Sequence, residues 1–365
     1  MSYKNIYILG VGGSGMSSIA KYLKQKGDNV IGYDQRKSYV TNLLNQDGIK
    51  VVHTLDEITY KPESLYIYSS AIPIESDRFE DFYDKENVLS RPEYLKNLSE
   101  NQKIIGITGT HGKTSTTALL SHIFHFNNVN VSYLYGGITT FNGIGGHYGD
   151  PDQPLILETD EAFNTFEKIK ISDLLVLNVD SDHLDYFKNL DNYKDAFYKV
   201  MKNVTDNLVI NNDDLNIKSM KELKNPVSYG KDISADFKVH SPGTFIYENN
   251  KYEIKSDIIG DHFKSNMLGA VILALLNGIE IEDSLNAIES FAGVKRRIEL
   301  IGISKGVLIY DDYGHHPTEM EATITALKQQ TESKLYVVFQ PHRYTRTMEY
   351  FNSFKDSLKL ADFAI

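Results

Sequence analysis

Residues 106–117 read GITGTHGKTSTT. An apolar run, KIIG from Lys103, leads into the loop, and a segment with helical spacing, ALLSHIFHF, follows it. Glycines just ahead of a helix N-terminus present backbone N–H groups to phosphate, and the helix dipole favours an anion there. In such a loop Lys113 reaches β- and γ-phosphate oxygens, and Thr114 offers its hydroxyl to Mg²⁺. The general pattern asks for a glycine where Ile107 stands; the nearest are Gly106 and Gly109, so the loop is a variant. A Gly/Thr-rich turn with a solvated lysine is the plain alternative. The order strand, loop, GKT and helix speaks against it.

Two acidic clusters lie downstream. Glu158 and Asp160 end the run PLIL, and Asp180, Asp182, His183 and Asp185 follow LLVLNV. Both fall at the carboxyl ends of expected parallel strands, where open α/β sheets bind ligands. Taken alone, each reads equally well as turn and capping carboxylates. Beside a phosphate loop that needs help holding Mg-ATP, the two together favour metal binding.

An earlier loop poses a different question. IYILGVGGSGMSSIAKYL, residues 6–23, carries Gly10, Gly12 and Gly15 in the spacing G-x-G-x-x-G. Asp34 follows the next strand at about the distance of a ribose-binding acid, as in nicotinamide enzymes. A dehydrogenase, however, leaves the second loop and everything after it unexplained.

The chain has 365 residues, 41% of them hydrophobic, a net charge of −11 and no cysteine. Its length predicts two or three domains. The acidic balance weighs against a general nucleic-acid or membrane-surface binder, and thiol chemistry and disulfides are excluded. No apolar run reaches the length needed to cross a bilayer, and a strand begins almost at once, so a soluble, cytoplasmic protein is expected.

Strand and helix patterns restart three times, which predicts an α/β protein of three domains. Residues 1–98 form a Rossmann-like domain with strands NIYILG, NVIGYD and SLYIYS, and the polar stretch Asn97–Gln102 is a linker. Residues 99–292 form a central ATPase domain with a mainly parallel sheet. There 236–255 make short strands around the turn ENNK, and KSNMLGAVILALLNG is a helix closed by Gly278. Residues 293–365 form a second Rossmann-like domain with strands VLIYDDYG and KLYVVFQPH and helices PTEMEATITALKQQ and TMEYFNSFKDSLKL. A parallel sheet that stops at the strand ADFAI predicts an incomplete, truncated domain, and hence a polypeptide short of full activity.

Seven segments, GITGTHGKTSTT, LETDEAF, NVDSDHLDYF, GDHFKSN, GVKRRIE, DDYGHHPTE and FQPHRYTR, occur in the order found in Mur ligases, which the chain resembles along essentially its whole length. The resemblance is strongest to the alanine-adding branch. It implies ATP-dependent formation of an amide between UDP-N-acetylmuramate and L-alanine through an acyl phosphate, with Mg²⁺, by a monomer or homodimer. It implies that Gly109, Thr110, His111, Gly112, Lys113, Thr114 and Ser115 hold ATP, with Lys113 on phosphate. Thr114 and Glu158 would hold a first Mg²⁺ and His183 a second. His262 and Asn266 match adenine-side contacts, while Arg297 and Asp312 match nucleotide contacts from the interdomain and C-terminal segments. His342, Arg343 and Arg346 match the amino-acid site, where a guanidinium fork suits a carboxylate. The first loop then holds the UDP substrate: Gly12, Gly13, Ser14, Gly15 and Met16 near the diphosphate, with Asp34, Ser69, Ser70 and Arg91 towards the nucleoside and sugar. His315 and His316 receive no role.

Two departures stand out. Phe163 replaces a second aspartate common in relatives, and Phe197 stands where later-acting branches carry a modified lysine. The nearest rival is the branch that attaches a recycled tripeptide to the same sugar nucleotide; a truncated nucleotide-binding remnant is the non-enzymatic alternative.

Overall fold

The apolar runs ahead of both glycine loops become buried parallel strands. The computed structural model describes residues 3–182, 184–220 and 223–365, without the side chains of Phe163, Leu184 and Asp185. The first domain is wound from β1 (Asn5–Leu9), α1 (Ser14–Gln25), β2 (Val30–Tyr33), α2 (Tyr39–Gln46), β3 (Lys50–Val52), β4 (Ser64–Tyr68), β5 (Val88–Ser90) and α3 (Arg91–Ser99). Its strands are all parallel, in the order β3-β2-β1-β4-β5. The expected linker is shorter than 97–102, because 97–99 are the last turn of α3. That helix starts strongly, with a Ser90/Glu93 capping box and Pro92 in its first turn, and buries Tyr94 and Leu95.

The central domain carries β6 (Ile104–Thr108), α4 (Lys113–Phe126), β7 (Ser132–Thr139), β8 (Gly143–His147), β9 (Leu155–Glu158) and β10 (Asp173–Val176). Then come α5 (Leu184–Phe187), α6 (Leu190–Lys202), β11 (Leu208–Asn211), α7 (Leu215–Lys218), β12 (Val227–Gly230), β13 (Phe237–Ser241), β14 (Thr244–Tyr247), β15 (Asn250–Glu253), α8 (Asp261–Leu275) and α9 (Ile281–Glu289). Ten strands run in the order β15-β14-β13-β12-β11-β10-β6-β9-β7-β8. The sheet is parallel except at its edges, β8, β14 and β15. The expected ENNK turn is present, with Glu248 and Asn249 both at positive φ, the geometry of a tight hairpin. What matters for the site is that β9 and β10 flank β6. Residues following those two strands therefore border the loop that follows β6.

The last segment holds β16 (Glu299–Ser304), β17 (Val307–Asp311), α10 (Pro317–Gln329), β18 (Tyr336–Val337), α11 (Tyr344–Glu349), α12 (Phe351–Leu358) and β19 (Phe363–Ala364). Its strand pairing differs from expectation. VLIYDDYG joins Glu299–Ser304 in an antiparallel hairpin, because Lys305 and Gly306 both take positive φ (50° and 83°) and turn the chain back. The parallel pairing is confined to β18 with β19. The single helix expected over TMEYFNSFKDSLKL is broken at Tyr350, whose backbone leaves the helical region.

The first and central domains share one core, running from Ile8 and Ile19 through Leu134 and Leu157 to Phe197. Phe197 itself is fully buried against Phe166 and Tyr193. A second core packs α4 against α8 and α9. Among the described residues no helix is long and apolar enough to cross a membrane.

Helix α1 lies on β7 and β8, and Lys21 locks it there. Its ammonium is buried and donates to the carbonyls of Asn142 and, at 3.2 Å, Ile144. Burial pulls its pKa below the ordinary lysine value. Lys21→Met keeps the stem and removes the charge, taking the ammonium from the Asn142 carbonyl and leaving Ile144 with the Asn142 amide as its side-chain donor. It should cost roughly 1–3 kcal/mol in denaturant unfolding; an unchanged midpoint would show that the ammonium is not part of the domain contact.

Candidate active site

The loop after β6 is shaped by its neighbours. Gly112 caps α4 at φ 87°, and a Cβ there would strike the Asn266 amide, so α8 lies directly on the loop. Lys113 is folded back: its Nζ donates to the carbonyls of Gly109 (2.5 Å) and Thr110 (3.0 Å) and pairs with Glu161 at 2.9 Å. Burial alone would lower the pKa of this ammonium. Glu161, Asp160 and Glu158 outweigh burial and hold its pKa above the ordinary lysine value.

Glu158 is the pivot. It accepts from the Thr114 hydroxyl at 2.8 Å and from the Gly136 N–H at 2.6 Å. Thr114 and Glu158 thus present two hard oxygens about as far apart as neighbouring ligands of an octahedral Mg²⁺, about 2.9 Å for bonds of 2.0–2.1 Å. Gly136 faces the first loop across the domain boundary, since a Cβ on it would lie 3.1 Å from Ser14 Oγ.

The first loop opens on a cavity of about 480 Å³ whose lining includes Gly13, Gly15, Met16, Ser69, Ser70 and Arg91. A Cβ on Gly15 would come within 2.9 Å of Arg91 Nε; the bare backbone is what lets the guanidinium approach the helix end. A larger cavity of about 560 Å³ adjoins this one, and the two share Ser14, Gly136, Glu158 and Asp160 as lining. Asp34 is not turned towards the first cavity. Its carboxylate accepts from the N–H groups of Gly12 (2.9 Å) and Arg36 (3.0 Å) and so holds the loop itself.

The C-terminal segment closes the larger cavity. His111 Nε2 lies 3.2 Å from Asp180, and its Nδ1 lies 3.4 Å from Glu319 of α10. Burial would lower the His111 pKa, but the two carboxylates prevail and hold it up at about 9. Asp180 and Glu319, despite their own burial, are held well below the usual carboxylate range, chiefly through the bond to His111. Glu319 also accepts from the backbone N–H groups of His315 and His316 and faces Arg297 at 3.8 Å. Thr318 donates to Asp180 at 2.8 Å. Arg346 is buried against Asp182 at 3.3 Å, and Tyr350, at the break between α11 and α12, donates to the Ser181 carbonyl. Asp182, expected as a metal carboxylate, is instead engaged by a guanidinium.

The remaining expected residues disperse. Ser115, Asn266 and Arg297 line a narrow crevice beside Phe263 and Phe291. His262 faces a separate cavity with Lys264 and Asp261, and burial lowers its pKa. Asp312 accepts from the N–H groups of Ile298 and Gly314, both at 2.8 Å, and so ties two turns together rather than lining the main cavity. Of the amino-acid trio, Arg343 lines the first cavity, Arg346 borders the second through Asp182, and His342 is exposed in neither. His183 lies outside the described residues.

Sequence reasoning passed over Glu161, Glu319 and Tyr193. The two glutamates stand inside segments already singled out, LETDEAF and DDYGHHPTE. Tyr193 is fully buried in α6, with its hydroxyl 2.9 Å from Thr110 Oγ1 and 3.3 Å from Glu161. Only its place on an apolar helix face is visible in the sequence.

Comparison with known proteins gives consistent matches. Residues 5–103 match the Mur ligase family catalytic domain, 107–274 the Mur ligase middle domain, and 296–365 the Mur ligase glutamate ligase domain. The UDP-N-acetylmuramate–L-alanine ligase of Clostridium botulinum (strain Langeland) is 35% identical over 98% of this chain and 81% of its own length. The ligase of the same name from Dictyoglomus turgidum is 34% identical, covering 100% of this chain and 82% of its own. The crystal structure of UDP-N-acetylmuramate-alanine ligase from Thermotoga maritima superposes with a TM-score of 0.83 at 26% identity, over 99% of this chain and 84% of its own. A murein peptide ligase from Psychrobacter arcticus shares the fold, with a TM-score of 0.75 at 23% identity over 99% and 84% of the two chains.

The His111 clasp has a defined pH signature. Its folded pKa, about 9, lies above the 6.5 of free imidazole. Its stabilisation is therefore complete below about pH 6.5 and is lost as pH rises through 9. The carboxylates run the other way, contributing above about pH 4 and losing that contribution as pH falls. His111→Asn should lower the unfolding free energy most near pH 6, by an amount on the order of 1–3 kcal/mol, and hardly at all near pH 10, as read by denaturant unfolding. A difference that stays constant across that range would contradict the clasp.

Proposed function

The chain belongs to the Mur ligase family, and on that premise we propose that it joins L-alanine to the carboxylate of UDP-N-acetylmuramate using ATP, in peptidoglycan precursor synthesis. The observation that carries this reading is the meeting of two helix N-termini at one carboxylate. Ser14 of α1 and Thr114 of α4 both reach the Glu158–Gly136 junction, where the two cavities adjoin.

Each helix end suits one anion. The α4 N-terminus and Lys113 suit the phosphates of ATP, with the crevice by Ser115, Asn266 and Arg297 beside them. The α1 N-terminus, Ser69, Ser70 and Arg91 suit the diphosphate and sugar of the UDP substrate. A sugar nucleotide held there directs its carboxylate to the shared boundary. The carboxylate oxygen attacks the γ-phosphorus, ADP leaves, and an acyl phosphate forms. The amine of alanine then attacks the carbonyl carbon, loses a proton, and phosphate departs with the bridging oxygen. Lys113 neutralises charge as the phosphoryl group moves. Thr114 and Glu158, whose oxygens fit the ion, would hold Mg²⁺, which supplies further neutralisation; His183 is assigned to a second ion by the family resemblance alone. Arg343, which lines the first cavity, is the guanidinium for the carboxylate of alanine, and Arg346 joins it on exchanging Asp182 for that carboxylate. Closure by the C-terminal segment keeps water from the acyl phosphate.

The recycling branch, which would use a tripeptide, is the second reading, and the curated relatives cited above bear the alanine name instead. Phosphate release from ATP should require UDP-N-acetylmuramate and L-alanine together; release that needs the tripeptide would overturn the assignment. Lys113→Ala should lower kcat by roughly 10²–10³-fold, the scale of losing a charge-stabilising donor, while UDP-substrate affinity stays within about twofold. Retained turnover would remove the loop from the chemistry.

A further inference from the structure

His111, Asp180 and His316 come from three separate segments: the phosphate loop, the end of β10 and the start of α10. One donor atom from each lies within 4.8 Å of the others, and among the described residues this is the one such group of three or more. His111 Nε2 and Asp180 Oδ2 are 3.2 Å apart, close to the roughly 3.4 Å edge of a tetrahedron with bonds of 2.0–2.1 Å. A second observation is independent of that spacing. His316 is only 3% exposed, and its Nε2 has no hydrogen-bond partner. Buried polar atoms left this way call for an explanation, and a bound ion is one.

We propose that these three side chains bind one first-row transition dication of the Zn²⁺, Co²⁺ or Ni²⁺ class, at a site separate from the Thr114–Glu158 pair. Two imidazoles and a carboxylate suit such ions, whereas Mg²⁺ takes oxygen ligands. The outer contacts are already in place. Glu319 accepts from His111 Nδ1, which directs Nε2 at Asp180, and the Asp180 carboxylate is braced by Thr318 Oγ1 and the Ser181 N–H. Binding exchanges an ion for the proton that His111 shares with Asp180. It also places the His316 ring proton on Nδ1, giving up a long 3.4 Å contact from the Thr318 N–H. The bound ion joins the phosphate loop to the C-terminal segment, in register with the clasp made by His111 and Glu319.

The test uses the full chain, stripped with chelator and titrated with Co²⁺ in excess Mg²⁺. Visible d–d absorption and equilibrium dialysis report binding. One Co²⁺ per chain with tetrahedral-type absorption, displaced by Zn²⁺, is expected. His316→Asn removes Nε2 but keeps a side chain able to cap α10; it should weaken binding at least tenfold, as should Asp180→Asn, which retains an acceptor oxygen. Glu319→Gln should weaken it about 10–100-fold through His111. Glu158→Gln should leave it unchanged. Circular dichroism confirms that each variant is folded, and whichever of His316→Asn and Asp180→Asn folds decides the matter. Absence of Co²⁺ binding would overturn the proposal, as would binding lost with Glu158→Gln and kept when His316 or Asp180 is replaced.

Discussion

Glu158 accepts hydrogen bonds from two directions, one from the Thr114 hydroxyl at the start of α4 and one from the Gly136 N–H in β7. The first ties it to the loop after β6; the second ties it to the strand on which α1 rests. Two helix ends that each attract anions are thereby held against one half-buried acid. Isolated, each loop would be an ordinary phosphate turn. Held together, they define a boundary where a phosphate donor and a carboxylate acceptor can meet. Lys21 and the continuous core beneath α1 fix the spacing, because a shift of α1 along β7 and β8 would break buried hydrogen bonds as well as packing.

The closing side of the site is electrostatic. His111, Arg297 and Arg346 meet Asp180, Glu319 and Asp182, with Arg346 and Asp182 buried and Asp180 and Arg297 partly exposed. The shielded members are stable only with their partners, so removing one leaves the other with a desolvation cost that is no longer offset. That makes the C-terminal segment a conditional wall: well held while every partner is charged, and weakened when pH removes one.

Much of this was legible before any coordinates. The alternation of apolar runs and glycine loops specifies parallel strands feeding helix N-termini, and Lys113, Thr114 and Glu158 follow from that grammar. Other features depend on distance in space rather than on pattern. Glu161 and Glu319 are ordinary acids in sequence, and become central because Lys113 and His111 fold onto them. Tyr193 looks like a core aromatic, and its hydroxyl matters only because Thr110 is opposite. Asp34 has the spacing of a ribose ligand, yet the donors it meets are the amides of Gly12 in the glycine loop and of Arg36. The β16–β17 hairpin was missed because the pair Lys305-Gly306 carries less signal than an Asn-Gly turn, while the apolar run beside it reads equally well as a buried parallel strand.

The central claim is that the acceptor carboxylate is phosphorylated where the two loops meet. UDP-N-acetylmuramate labelled with ¹⁸O in that carboxylate tests it most directly, with phosphate analysed by mass spectrometry after turnover with ATP and L-alanine. The account predicts one labelled oxygen in each phosphate released, carried by the bond that joined acyl group and phosphorus. Phosphate free of label, with amide still formed, would contradict it.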